Sequence, residues 1–146
     1  KHICLYPSTP KECFEYTAMA FDLAERFQTP VILLSDLDLG MNENMSEPLE
    51  WDDERTYDRG KILTHDDLEN MKERYGRYLD VDNDGIPYRT LPGTHPTKGS
   101  FFTRGTSKDE YAIYTEIGEK FSKIFINSTC AFNYLDDFYS RIYYRN

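Results

Sequence analysis

Val31-Ile-Leu-Leu34 constrains the fold of this chain more than any other stretch, because all four residues are apolar. A run without a polar position has no solvent side, so it reads as a strand covered on both faces, as in a parallel sheet. Upstream, Ile3-Cys-Leu-Tyr6 is a second short apolar run, halted at Pro7. Between the two lies a helix with a defined start. Thr9-Pro-Lys-Glu12 is a capping box with proline at the first helical position, where a missing N–H costs nothing. Phe14, Thr17, Phe21 and Ala24 then recur at helical spacing with Cys13, Ala20 and Phe27 beside them. Lys11, Glu15, Asp22 and Arg26 take the other side. The helix must stop before Pro30, since the residue preceding a proline is pushed out of the α region. Strand, helix and strand at this length predict a right-handed parallel crossover, hence an α/β fold. One such unit cannot close a sheet, so further strands are expected outside these residues, in a longer polypeptide.

Beyond Ser35 the pattern loosens. Residues 42–57 are polar and irregular, interrupted by Pro48 and Trp51. Thr64-His-Asp-Asp67 is expected to cap a helix running to about Tyr75, with Leu68 and Met71 on its apolar side and Gly76 as its C′ residue. Gly99-Ser-Phe-Phe-Thr103 reads as a short extended segment, and Ser107-Lys-Asp-Glu110 as another capping box. Thr115 opens a last helical stretch in which Ile117, Phe121, Ile124 and Phe125 share a face. No apolar run approaches the roughly 20 residues of a bilayer span, so no membrane partner is expected. Cys4, Cys13 and Cys130 are an odd set without a Cys-x-x-Cys pair. That argues against a disulfide framework and against a local zinc or iron–sulfur site. Cys4 and Cys13 are expected in the core, and the setting to be reducing and cytoplasmic.

Charge is unevenly placed. Asp36 to Asp58 holds nine carboxylates against Arg55 alone, −8 of the chain's −9. Such a field argues against binding of a nucleic-acid backbone by this face. It reads either as a solvated loop or as a docking surface for a basic partner. Asp36 and Asp38 follow the second strand at its carboxyl end, where open α/β sheets hold ligands. The same residues equally suit the capping of a turn. Asp80, Asp82 and Asp84 with Gly85 form the first half of a calcium loop, but position twelve is Leu91 instead of a bidentate Glu. The alternatives are a weak Mg²⁺ or Ca²⁺ site and a carboxylate-rich turn tied to its own amides. Arg89, His95 and Arg104 are the side chains nearby that could bind an anion or handle a proton, or else pair with local carboxylates. No Cys or Ser nucleophile accompanies His95, so a catalytic dyad has no support.

Six motifs in order carry a resemblance. They are Ser35-Asp-Leu-Asp-Leu-Gly-Met-Asn42, Glu50-Trp-Asp-Asp53, Asp58-Arg-Gly-Lys61, Gly76-Arg-Tyr-Leu79, Asp80-Val-Asp-Asn-Asp-Gly85-Ile-Pro-Tyr-Arg-Thr-Leu-Pro-Gly-Thr-His-Pro96 and Gly99-Ser-Phe-Phe-Thr-Arg-Gly-Thr106. From Ile3 to Glu119 the chain resembles the alpha subunit of the 2-oxoacid:ferredoxin oxidoreductases. The resemblance implies that residues 1–40 are the last βαβ unit of a pyrimidine-type, thiamine-diphosphate-binding domain. Residues 41–119 would be a loop-rich, partly helical extension, and 120–146 a tail without counterpart. The implied reaction is oxidative decarboxylation of a 2-oxoacid, 2-oxoglutarate in particular, with coenzyme A to acyl-CoA, reducing ferredoxin. All these substrates and cofactors are anionic, which would suit Arg89, His95 and Arg104. Thiamine diphosphate, its Mg²⁺ and the iron–sulfur cluster would be held mainly by the beta subunit, and the family's activating Glu has no matching position here. The implied partners are the beta subunit, the rest of the alpha subunit and, through the complex, ferredoxin. The chain would then be structural, with no catalytic residue of its own. The competing expectation is a small acidic cation-binding module built on Asp80–Gly85.

Overall fold

The structure, a computed structural model, describes residues 2–99 and 107–126. Arg104, the extended segment expected at 99–103 beyond Gly99, and the tail from 127 lie outside the described residues. The chain divides into two compact units, Lys1–Gly60 and Lys61–Asn146.

The first unit is the expected βαβ crossover. Strand β1 (Ile3–Leu5) pairs in parallel with β2 (Val31–Leu33), Ile3 opposite Val31 and Leu5 opposite Leu33. Helix α1 (Pro10–Phe27) joins them. Its start is capped as the sequence predicts: the Thr9 hydroxyl accepts from the Glu12 N–H at 3.1 Å. The Glu12 carboxylate in turn accepts from the Ser8 hydroxyl and amide, both at 2.7 Å, and these bonds hold its pKa below the ordinary value. Gln28 closes the helix in the left-handed region (φ 52°), two residues before Pro30.

Ile3, Leu5, Ala18, Leu23 and Phe27 form this unit's core. Alternation along the strands puts Cys4, Tyr6, Ile32 and Leu34 on the opposite sheet face, where all four are exposed. The expectation of a strand covered on both faces, and of Cys4 in the core, is therefore not met within the described residues. Phe21 also departs from expectation, being exposed. A two-stranded sheet hides only the Leu23–Phe27 side of the helix.

The side of α1 read as solvent-facing instead carries a strap, residues 51–60. Asp22 accepts from the Arg55 guanidinium at 2.6 Å and from the Asp58 amide at 2.9 Å. Arg26 pairs with Asp58 at 3.0 Å, Arg59 with Glu25 at 3.4 Å, and the Trp51 ring meets Phe14 edge-on at 5.7 Å. Gly60 ends the strap at φ +67°, so close to the helix that a Cβ would lie 2.5 Å from the Glu25 carbonyl oxygen. A short helix, α2 (Leu37–Met41), lies between β2 and the strap.

In the second unit, α3 (His65–Asn70) begins at the expected cap, and Thr64 and Asp67 bond reciprocally as a capping box. The bond from the Thr64 hydroxyl holds Asp67 below the ordinary carboxylate pKa. The helix ends sooner than its pattern suggests: Met71 already has extended geometry (ψ 126°), and Gly76 is no C-cap. Gly76 is instead a close-approach glycine. A Cβ there would lie 2.8 Å from Leu79 Cβ and 3.0 Å from the Glu110 carbonyl oxygen, which accepts from the Tyr78 amide.

The second expected capping box, Ser107–Glu110, is not a helix start. The Asp109 carboxylate captures the amides of Tyr111 and Ile113, both at 3.0 Å, and its own amide bonds to the Ile113 carbonyl. A side chain that satisfies two following amides competes with the helix, and a hairpin-like turn results. Helical structure resumes over 118–126. No helix among the described residues is long and apolar enough to cross a membrane.

Candidate functional site

The loop from Asp80 to Pro96 is fastened at both ends, and the fastenings define the site. At the first, Ile62 and Arg89 form a parallel bridge: the Arg89 amide donates to the Lys61 carbonyl and the Leu63 amide to the Arg89 carbonyl, both at 2.9 Å. The Lys61 side chain doubles back into the same loop. Its ammonium donates to Asp82 Oδ2 at 2.6 Å, Asp84 Oδ2 at 2.7 Å and the Ile86 carbonyl at 3.2 Å. It also lies 5.1 Å from the centre of the Tyr88 ring. Burial alone would lower the Lys61 pKa, but the hydrogen bonds it donates to Asp82 and Asp84 outweigh that and raise it. Asp82 is lowered by the same bond, and Tyr88, bonded to Asp82, is raised.

Asp80 and Asp84 also bond the loop's own backbone. Asp80 accepts from the amides of Asp84 (3.1 Å) and Gly85 (3.0 Å), and Asp84 Oδ1 from Ile86 (2.9 Å). Asn83 (φ 57°) and Gly85 (φ 78°) supply the left-handed turns that let the chain curl this tightly. The position a hard cation would share between Asp82 and Asp84 is thus taken by the Lys61 ammonium. No spacing rule pointed to Lys61, which lies 21 residues before Asp82.

At the second fastening, His95 Nδ1 accepts the amides of Thr97 (3.1 Å) and Lys98 (2.9 Å). With Nδ1 engaged as an acceptor, the ring proton belongs on Nε2, which donates to Glu69 Oε1 at 2.6 Å. Lys98 bonds the other Glu69 oxygen at 3.1 Å and caps the end of α3 through the carbonyls of Leu68 and Glu69. Bonding from His95, then from Lys98, pulls the Glu69 pKa down to about 2. Glu69 was not singled out in the sequence, and its pairing with a histidine 26 residues away leaves no local signal.

His65, Glu69 and His95 bring one ligand atom each within 4.8 Å of one another, a donor set of the kind zinc takes. Two features argue against that use. The His95 Nε2 lone pair would be free only if the ring became an imidazolate, because Nδ1 already accepts two amides. The two imidazoles are also stacked, centroids 4.9 Å apart and planes 29° off parallel, so their in-plane lone pairs do not converge. The cluster is a clamp that ties the Gly93-Thr-His-Pro96 turn to α3.

Asp36 and Asp38 belong to the first unit. Asp36 caps α2, its carboxylate accepting the Leu39 amide at 2.8 Å, and Asp38 accepts the Asn42 side-chain amide at 3.1 Å. Both do the work of turn formation that was one of their two readings. Arg89 sits at the bridge to Ile62, His95 in the clamp, and Arg104 outside the described residues.

Comparison with known proteins adds to this geometry. The family model described as pyruvate flavodoxin/ferredoxin oxidoreductase, thiamine-diphosphate binding, matches residues 1–119. The 2-oxoglutarate synthase subunit KorA of Methanothermobacter marburgensis is 47% identical over 47 residues, which are 32% of this chain and 12% of that protein. Its namesake from Methanothermobacter thermautotrophicus is 43% identical over 47 residues, with the same shares. The matched stretch thus spans about an eighth of each relative.

Proposed function

The chain belongs to the thiamine-diphosphate-binding family of the pyruvate flavodoxin/ferredoxin oxidoreductases, and on that premise we propose that it is a structural, subunit-contacting segment of the alpha subunit of such an enzyme. The reaction is oxidative decarboxylation of a 2-oxoacid with coenzyme A, reducing ferredoxin, and similarity to the two KorA proteins favours 2-oxoglutarate as the acid. The observation that carries the structural role is the doubly fastened Asp80–Pro96 loop. Lys61 fills its carboxylate pocket and Glu69 engages its histidine, so the loop is pre-ordered and its most reactive side chains are committed to holding its shape. A loop ordered in advance loses little entropy when a partner subunit packs on it.

The Asp80–Pro96 loop leaves no seat for thiamine diphosphate or its cation. Asp82 and Asp84 surround an ammonium, and His95 has both ring nitrogens bonded. We assign thiamine diphosphate, Mg²⁺ and the iron–sulfur cluster to the beta subunit, and no catalytic step to this chain.

The test is reconstitution. The complete alpha subunit carrying this chain, co-expressed with its beta subunit, should reduce ferredoxin in a coenzyme-A-dependent way with 2-oxoglutarate and far more slowly with pyruvate. A His95→Ala alpha subunit should co-purify less beta subunit while the secondary structure of the free subunit is unchanged. Full assembly and activity in that variant would remove the loop from the interface, and a preference for pyruvate would overturn the substrate.

A further inference from the structure

The acidic run and the exposed apolar side chains of the first unit occupy the same stretch of chain. Between Asp36 and Glu54 there are eight carboxylates and no Lys or Arg. Interleaved with them, Leu37 and Met41, one helical turn apart on α2, are 75% and 79% exposed, and Met45 is fully exposed. Leu49 and Trp51 keep about half their surfaces in water (47% and 49%).

Asp36 caps α2 where the stretch leaves β2, and beyond its far end the strap is locked onto α1 through Arg55–Asp22 and Asp58–Arg26. Those anchors use carboxylates and cations at the margins. Of the eight carboxylates inside, Glu47 has a cation nearby, Lys11 at 4.0 Å with both side chains largely in solvent, a pair worth little.

We infer that residues 36–54 are a docking surface for a partner polypeptide presenting a basic amphipathic helix. A field of −8 opposes nucleic acid and anionic lipid alike, so the complementary surface is cationic. Leucine, methionine and tryptophan side chains standing in water call for apolar atoms on that same partner. Methionine is unbranched and polarizable, and Met-bearing acidic surfaces accept amphipathic helices by reshaping around their anchors. Lys and Arg around an apolar stripe meet both demands at once. This inference is independent of the enzyme assignment.

Trp51 is the only tryptophan in the chain, which makes its emission a direct reporter. The probes are a synthetic Leu/Lys amphipathic helical peptide and a scrambled peptide of identical composition, titrated into the chain by fluorescence and calorimetry. The amphipathic peptide should shift Trp51 emission to the blue and bind about tenfold more tightly than its scrambled isomer, with affinity falling as salt rises. Replacing Met41 and Met45 together by serine, at positions that support no core, should cost about tenfold in affinity for the amphipathic peptide alone. Equal binding of the two peptides would reduce the surface to a diffuse charge and overturn the inference, as would unchanged affinity in the double variant. Self-association of the chain that the double variant abolishes would also overturn it, by making a second copy the occupant.

Discussion

His95 Nε2 and Glu69 Oε1 lie 2.6 Å apart because the far side of the imidazole is already committed, Nδ1 accepting the amides of Thr97 and Lys98. A turn built on an acceptor nitrogen thereby turns the opposite nitrogen into a donor, and Glu69 on α3 is where that donor points. The tautomer follows from backbone geometry. His95 should therefore carry its ring proton on Nε2, and nitrogen-15 chemical shifts correlated to the ring protons read this directly. A proton found on Nδ1 would break the clamp as described.

Glu69 should titrate near pH 2. Its folded-state pKa is depressed from 4.5 to about 2, so the stability it contributes is complete above about pH 4.5 and is lost as pH falls through about 2. Carbon-13 detection of its side-chain carboxyl gives the midpoint. Glu69→Gln should flatten the acid limb of the second unit's stability in that window. A wild-type midpoint near 4.5 would mean that the bonds to His95 and Lys98 do not form.

Lys61→Met should uncover a cation site that the native chain masks. Wild type, with an ammonium between Asp82 and Asp84, should bind Ca²⁺ no better than millimolar, the weak end of the range for such loops. Removing the ammonium frees two carboxylate oxygens while Asp80 still shapes the turn, so calorimetry should show tighter Ca²⁺ binding in the variant and loss of it on adding Asp82→Ala. Micromolar binding by wild type would contradict the Lys61 contacts.

Gly60→Ala should destabilise the first unit by about 2 kcal/mol or more, since alanine meets both the left-handed penalty and a carbonyl oxygen at 2.5 Å. The strap would lift from α1, and amide exchange at Asp58, bonded to Asp22, would report it.

Ala112→Gly should act in the opposite direction. Ala112 sits at φ 64°, and glycine removes that penalty at some cost in unfolded-chain entropy, a net gain of roughly 0.5–1 kcal/mol. Denaturant melts of the second unit measure it, and a loss of stability would show that the alanine methyl packs usefully.

The βαβ unit was legible because each of its signals is local: Thr9-Pro-Lys-Glu12 starts a helix, Thr29-Pro30 stops it, and the apolar run Val31–Leu34 marks a strand, although one of its faces is exposed. Thr64 and Asp67 announced α3 for the same reason. Its end was misjudged because Leu68 and Met71 continue a helical pattern that the chain abandons at Met71. The same limit applies at Asp109, where a capping signature and an amide-capturing turn use the same residues. Local spacing cannot tell which amides a carboxylate will take.

What the sequence by itself determined is the α/β class, the capping of α1 and α3, the family, and the presence of a built loop at Asp80–Pro96. These follow from neighbouring residues, whose conformational preferences act without reference to the rest of the chain. Only the tertiary structure decided that Lys61 is the cation held by Asp82 and Asp84, that His95 finds Glu69, and that Asp22 and Arg26 grip a strap. Each of these joins residues more than 20 positions apart, and a carboxylate's choice among distant cations depends on which one the folded backbone brings within hydrogen-bond reach.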